Sequence, residues 1–146
     1  MKSLIIFITL LGFIFICSFK SFSHSFKNDS GIQFFSGTWK EALKKAKNEN
    51  KIIFLDAYAT WCGPCKMMKR KTFTDKAVAD FYNQNFVSLA VDMEKGEGPA
   101  LASKFNVTSY PSLIYIRSDG SAIGKAVGFH QPKAFIELGK KVIKSK

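Results

Sequence analysis

Arginine, cysteine and histidine are all scarce in this chain of 146 residues. Only Arg70 and Arg117 are arginines among 22 basic residues; the rest are lysines spread along the whole length. Nucleic-acid surfaces cluster their cations and use the guanidinium fork for bidentate contacts, so no nucleic-acid partner is expected. The formal charge of +11 then reads as a solvated lysine-rich surface, one that still favours acidic partners or an anionic membrane surface. Three cysteines exclude a dense disulfide scaffold. Two histidines leave no Cys/His array for structural zinc, and neither metal nor cofactor is expected. Repeats and low-complexity tracts are missing, which excludes solenoids and fibrous proteins. What is present is an ordinary globular balance, 47% hydrophobic and 23% charged, with room for one domain.

A long apolar run occurs once, at the N-terminus. Residues 4–16 are broken only by Thr9 and Gly12, Lys2 supplies a positive start, and Ser18, Ser21 and Ser23 follow. This pattern predicts an export signal over residues 1–23, cut after Ser23. The run is short for a membrane span of ~20 residues. An uncleaved anchor reaching Phe19 is the alternative. A lipoprotein using Cys17 is a third reading, disfavoured by Ile16, since a small residue should precede a lipidated cysteine. Cleavage would leave residues 24–146 with a charge of +9 and two cysteines, in an oxidising periplasmic or extracellular compartment. Polar residues 24–35 are expected to be a flexible lead-in, and 36–146 the folded domain.

Along that domain the patterning alternates. Thr38 and Glu41 form a capping-box pattern, and Trp39, Ala42, Leu43 and Ala46 share a helical face, which predicts a helix over 38–49. The apolar, β-branched run from Ile52 predicts a strand to Tyr58, buried on both faces. A helix is expected over 63–71, with Pro64 in its first turn. Thr74-Asp75 caps another, with Val78, Phe81 and Tyr82 inward. Strands are expected over 86–91, 112–117 and 121–128, the last two joined by the turn Ser118-Asp119-Gly120. A loop covers 93–99, a short helix 99–104, and a final helix opens at Pro132. The first crossover is long enough to make its strands parallel, whereas the later pair is antiparallel. The fold class is α/β, with a mixed central β-sheet flanked by helices.

The chemistry concentrates in Trp61-Cys62-Gly63-Pro64-Cys65, between a buried strand and a helix start. Two intervening residues allow a small disulfide ring across the first helical turn. Backbone N–H groups and the positive partial charge at the helix start favour Cys62 as thiolate, and an exposed position is expected for it. A thiolate with a pKa near ambient pH is both populated and nucleophilic. Cys62 is expected to attack a partner disulfide and Cys65, shielded, to resolve the mixed disulfide. Gly63 and Pro64 set stiffness and tune the redox potential.

The run Trp61-Cys62-Gly63-Pro64-Cys65-Lys66 is the active-site sequence of the thioredoxin family, and the resemblance extends over residues 36–145. Asp56 matches that family's buried acid, six residues before the first cysteine. Tyr110-Pro111 matches its cis-proline loop, and Gly128 the glycine after its last strand. Asp56-Ala57-Tyr58-Ala59-Thr60-Trp61, Lys66 and Thr72-Phe73-Thr74-Asp75 also resemble the thioredoxin-like C-terminal domain of DsbD, a periplasmic electron carrier. The resemblance implies a thioredoxin-like fold and a thiol–disulfide oxidoreductase of the protein-disulfide reductase type. It implies that Asp56 relays a proton near Cys65, that Pro111 is cis and lies beside the disulfide, and that Trp61 and Tyr110 bind substrate. In thioredoxin a buried lysine on the next strand accompanies the acid; the matching position here is near Ser88.

Disulfide-containing proteins are the expected partners, with a membrane electron donor, and the chain is expected to be a monomer. The rival reading is a non-catalytic binding module, for metal or copper delivery through Met67, Met68 and His130, or one whose Cys-x-x-Cys is a structural staple. Methionine on a helix is more simply core filler.

Overall fold

The computed structural model describes residues 31–145; the expected signal or anchor over 1–23 lies outside them. Among the described residues, no helix is long and apolar enough to cross a membrane.

Helix α1 (Trp39–Asn48) starts where the capping box predicts. The Glu41 N–H donates to Thr38 Oγ1 at 3.3 Å, and the Thr38 N–H donates to Glu41 Oε2 at 2.8 Å. Two donors left over at the helix start are satisfied reciprocally. Strand β1 (Ile52–Tyr58) follows, then α2 (Gly63–Met67), which runs into a π-helical turn over Met68–Thr72. Helix α3 (Lys76–Asn85) is capped by Asp75, whose Oδ1 accepts from the Val78 N–H at 3.0 Å. Strand β2 (Phe86–Asp92), α4 (Gly98–Lys104), β3 (Ser112–Ile116), β4 (Ala122–Val127) and α5 (Pro132–Lys144) complete the order.

The sheet runs β2-β1-β3-β4. β1 pairs parallel with β2, antiparallel with β3, and β3 pairs antiparallel with β4. This is the expected mixed α/β sheet. Because β1 is central, its alternate residues feed two separate cores. Ile52 and Phe54 face α3 and α5, in a core with Met68, Phe73, Tyr82, Tyr115 and Phe135. Ile53, Leu55 and Ala57 face α1 and α4, with Ala42, Ala46, Leu89 and Leu101. Tyr82 stacks on Phe135 at 4.2 Å between centroids. Its hydroxyl donates to the Phe135 carbonyl at 2.8 Å and contacts the Tyr115 hydroxyl at 2.7 Å, so a buried polar group is paired on both sides.

Three expectations change. The helix expected over 63–71 widens into the π-turn, closed by the Phe73 N–H on the Met68 carbonyl at 2.9 Å. The wider turn lets Met68 and Thr72 both point inward, Thr72 Oγ1 donating to the His130 carbonyl at 2.7 Å. Phe81, expected inward on α3, is only partly buried; Ala79 takes an inward place beside Val78 and Tyr82. The lead-in expected over 24–35 belongs to the folded unit from Gly31 onward. Ile32 is buried, Phe34 forms a parallel bridge with Ser88, and Phe34 packs edge-on against Phe73 at 5.3 Å.

Candidate functional site

Strand β1 ends at Tyr58, and the chain turns through Ala59, Thr60 and Trp61 into Cys62. The Cys62 N–H donates to the Ala59 carbonyl at 3.1 Å, fixing that turn. Cys62 is the N-cap of α2, with extended backbone (φ −66°, ψ 114°), and Pro64 occupies the first turn. In this position its Sγ accepts the Cys65 N–H at 3.1 Å, the same bond that would stabilise a thiolate. Cys62 and Cys65 are joined as a disulfide with Cα atoms 5.4 Å apart. The geometry expected of a small redox ring across the first helical turn is therefore present.

Cys62 is not exposed as expected. It is 3% exposed and Cys65 2%. The cause is aromatic cover: Ala59 and the two cysteines form a small apolar cluster, with Tyr58 and Tyr110 packed on it. Tyr110 precedes Pro111 across a cis peptide bond, as the resemblance implied. The Gly128 N–H donates to the Pro111 carbonyl at 2.9 Å, and Gly128 takes φ +90°, where a side chain would be strained. Trp61 is 65% exposed and meets the Tyr110 ring edge-on at 5.8 Å. Its indole N–H is shared by both Glu94 carboxylate oxygens, each at 3.0 Å. Trp61 and Tyr110 thus form a surface beside the disulfide, tethered by a residue from the loop after β2.

Asp56 lies on β1 two residues before Tyr58, on the face that also carries Phe54. It is 1% exposed, and neither carboxyl oxygen has a hydrogen-bond partner among the described residues. Burial raises its pKa from the ordinary 3.8 to about 7, against a smaller lowering by the Lys69 ammonium. Ser88 pairs in register with Phe54, whereas Asp56 pairs with Ala90; the buried Ser88 hydroxyl also lacks a partner among the described residues. The neighbouring strand therefore offers Asp56 no cation at that position.

Met68 fills the core. Its sulfur accepts the His130 N–H at 3.3 Å, while His130 Nδ1 donates to the Gly128 carbonyl at 3.0 Å. Among the described residues, no three His, Cys, Asp or Glu side chains gather where a metal ion could be held. Three neighbours of the redox pair were not singled out in the sequence. Tyr58 was detectable by strand alternation from Asp56, and Lys69 by its four-residue spacing from Cys65. Glu94 had no local signal, because a loop residue's reach depends on how the sheet is assembled.

The comparisons agree with this geometry. The family model for the thioredoxin-like domain matches residues 39–143. Thioredoxin H2 of Arabidopsis thaliana is 36% identical over 110 residues, 75% of this chain and 74% of that protein. A protein of Bacteroides thetaiotaomicron described as a disulphide isomerase shares 41% identity and a TM-score of 0.71, covering 80% of this chain and 97% of that one. The oxidised C-terminal domain of DsbD from Neisseria meningitidis shares 30% identity and a TM-score of 0.62, covering 75% of this chain and 98% of that domain. With the Cys62–Cys65 pair at disulfide distance, the chain belongs to the thioredoxin-like family and is a thiol–disulfide oxidoreductase.

Proposed function

We propose that the chain is exported and reduces or exchanges disulfides in partner proteins, with electrons supplied by a membrane donor. The carrying observation is the Cys65 N–H aimed at Cys62 Sγ, next to the exposed face of Trp61 and Tyr110. The N-terminal run of residues 4–16 supports export.

In the reduced protein, the Cys62 thiolate attacks one sulfur of a partner disulfide. A Cys62–partner bond forms, the partner's S–S bond breaks, and the partner's other sulfur leaves as thiolate. The Cys65 thiol then gives its proton to the Asp56 carboxylate and attacks Cys62 Sγ. The Cys62–Cys65 bond forms, the partner's second sulfur leaves, and two electrons have passed to the partner. Asp56, with a pKa of about 7, is suited to hold and return that proton near neutrality. Tyr110 offers its backbone beside Pro111 for a short extended pairing with the partner, and Trp61 an apolar platform. Gly63 and Pro64 hold the ring and set its potential.

Insulin reduction with dithiothreitol tests the activity. Cys62→Ser is expected to lose at least ~100-fold in rate; full activity in that variant overturns the assignment of the nucleophile. In the native host, Cys65→Ser is expected to accumulate mixed disulfides, naming the partners and the direction of flow. A second reading, electron relay in a DsbD-like pathway, is favoured by the match to nearly all of that C-terminal domain. It predicts that the trapped partners are other redox carriers. A measured potential near −270 mV fits a reductant, and one near about −120 mV a disulfide-forming role.

A further inference from the structure

Asp56 must gain and lose a proton in a place that resists its ionisation. Its carboxyl oxygens are buried and without a hydrogen-bond partner among the described residues, and Ser88 on the next strand supplies no charge. An unpaired carboxylate in such surroundings is strongly disfavoured. Turnover needs something that keeps the ionised form within reach.

Lys69 is placed to do this. It leaves the π-turn four residues after Cys65, and its ammonium rests 3.6 Å from the centre of the Tyr58 ring. Tyr58 is the next residue after Asp56 on the same face of β1, roughly 7 Å along the strand. The ring therefore clamps a cation over the strand end that carries Asp56, through a contact of the cation–π kind. The other groups around Asp56 do not compete for this role. Cys62 and Cys65 come from α2, and β3 places the apolar Leu113 in register with Asp56. Asp92, at the end of β2, pairs with Lys95 at 3.7 Å and faces Tyr58, whose own pKa is held above the ordinary value by burial first and then by Asp92 and Asp56, so the ring stays neutral.

We propose that Lys69 is a positioning residue of the redox step: its ammonium, held on the Tyr58 ring, makes the carboxylate form of Asp56 accessible when Cys65 gives up its proton. This rests on the functional reading above, yet it is testable apart from it. The role arises from the π-turn, not from the neighbouring strand.

The test is a carbon-13 NMR titration of the Asp56 carboxyl in the oxidised full chain. Lys69→Met is expected to move the midpoint upward by roughly half a unit to one unit, while Lys69→Arg restores it. Tyr58→Leu, which removes the clamp, shifts it the same way by less. In insulin reduction at pH 7, Lys69→Met should slow turnover by about twofold to fivefold, matching the lost fraction of carboxylate. That effect should vanish in an Asp56→Asn background. An unmoved midpoint in Lys69→Met, or an arginine variant that behaves like methionine, overturns the proposal. The titration reads Lys69 whether or not insulin is reduced, so failure of the functional reading shows separately, in the wild-type assay.

Discussion

Asp56 makes stability depend on pH in a direction opposite to that of most carboxylates. Its pKa is raised in the fold, from 3.8 to about 7, so the folded state holds a proton that the unfolded chain has already lost. Below about pH 4 both states are protonated and no penalty exists. Between about pH 4 and 7 stability falls, by roughly 4 kcal/mol in all for a shift of this size, and it levels off above. Asp56→Asn is therefore expected to stabilise the oxidised protein at pH 8 and to flatten its urea-unfolding stability between pH 4 and 7. An unchanged profile would place the proton elsewhere. Trp61 gives the converse case. It is largely exposed, so Trp61→Ala should change stability by no more than ~0.5 kcal/mol while lowering the rate of insulin reduction. The Cys62–Cys65 disulfide was legible from spacing within one strand–turn–helix unit, and the burial of Asp56 from the resemblance. The aromatic cover over Cys62 was not, because Tyr58 and Tyr110 come from segments 52 residues apart and meet only once the sheet forms.

Helices and strands were legible wherever periodicity and caps agreed, as in α1 with its capping box and β1 with its unbroken apolar run. The π-turn left no such trace. Lys69, Arg70 and Lys71 look like the exposed face of an ordinary helix; the turn widens because Thr72 and Phe73 are drawn into the core. Two predictions belong to this scale. Thr38→Ala removes an N-cap and should cost about 1 kcal/mol in urea unfolding. Gly98→Ala should destabilise although helix propensity alone predicts a gain, since a Cβ there would collide with the Asp92 carbonyl oxygen. The strain falls on the loop that carries Glu94, so the variant should also show altered Trp61 fluorescence.

At the level of the whole molecule, strand direction was legible from connection lengths, a helical crossover between β1 and β2 and a tight turn between β3 and β4, whereas the pairing of β1 with β3 was not. The beginning of the folded unit was not. Polar Asn28, Asp29 and Ser30 concealed that Ile32 and Phe34 pack into the core a few residues later. Phe34→Ala should lower stability by about 2 kcal/mol in thermal or urea unfolding, a loss that a loose lead-in would not show.

The same segment also governs how copies of this protein could join. Phe34 bridges to Ser88, and the Phe35 N–H donates to the Ser88 carbonyl at 2.7 Å, so the outer rim of β2 is interrupted at its middle. Growth of a fibre by strand-upon-strand addition requires two free rims on every subunit. With β2 blunted, rim-to-rim joining through β4 can make a closed pair but not an endless stack, which guards the native protein against polymerising.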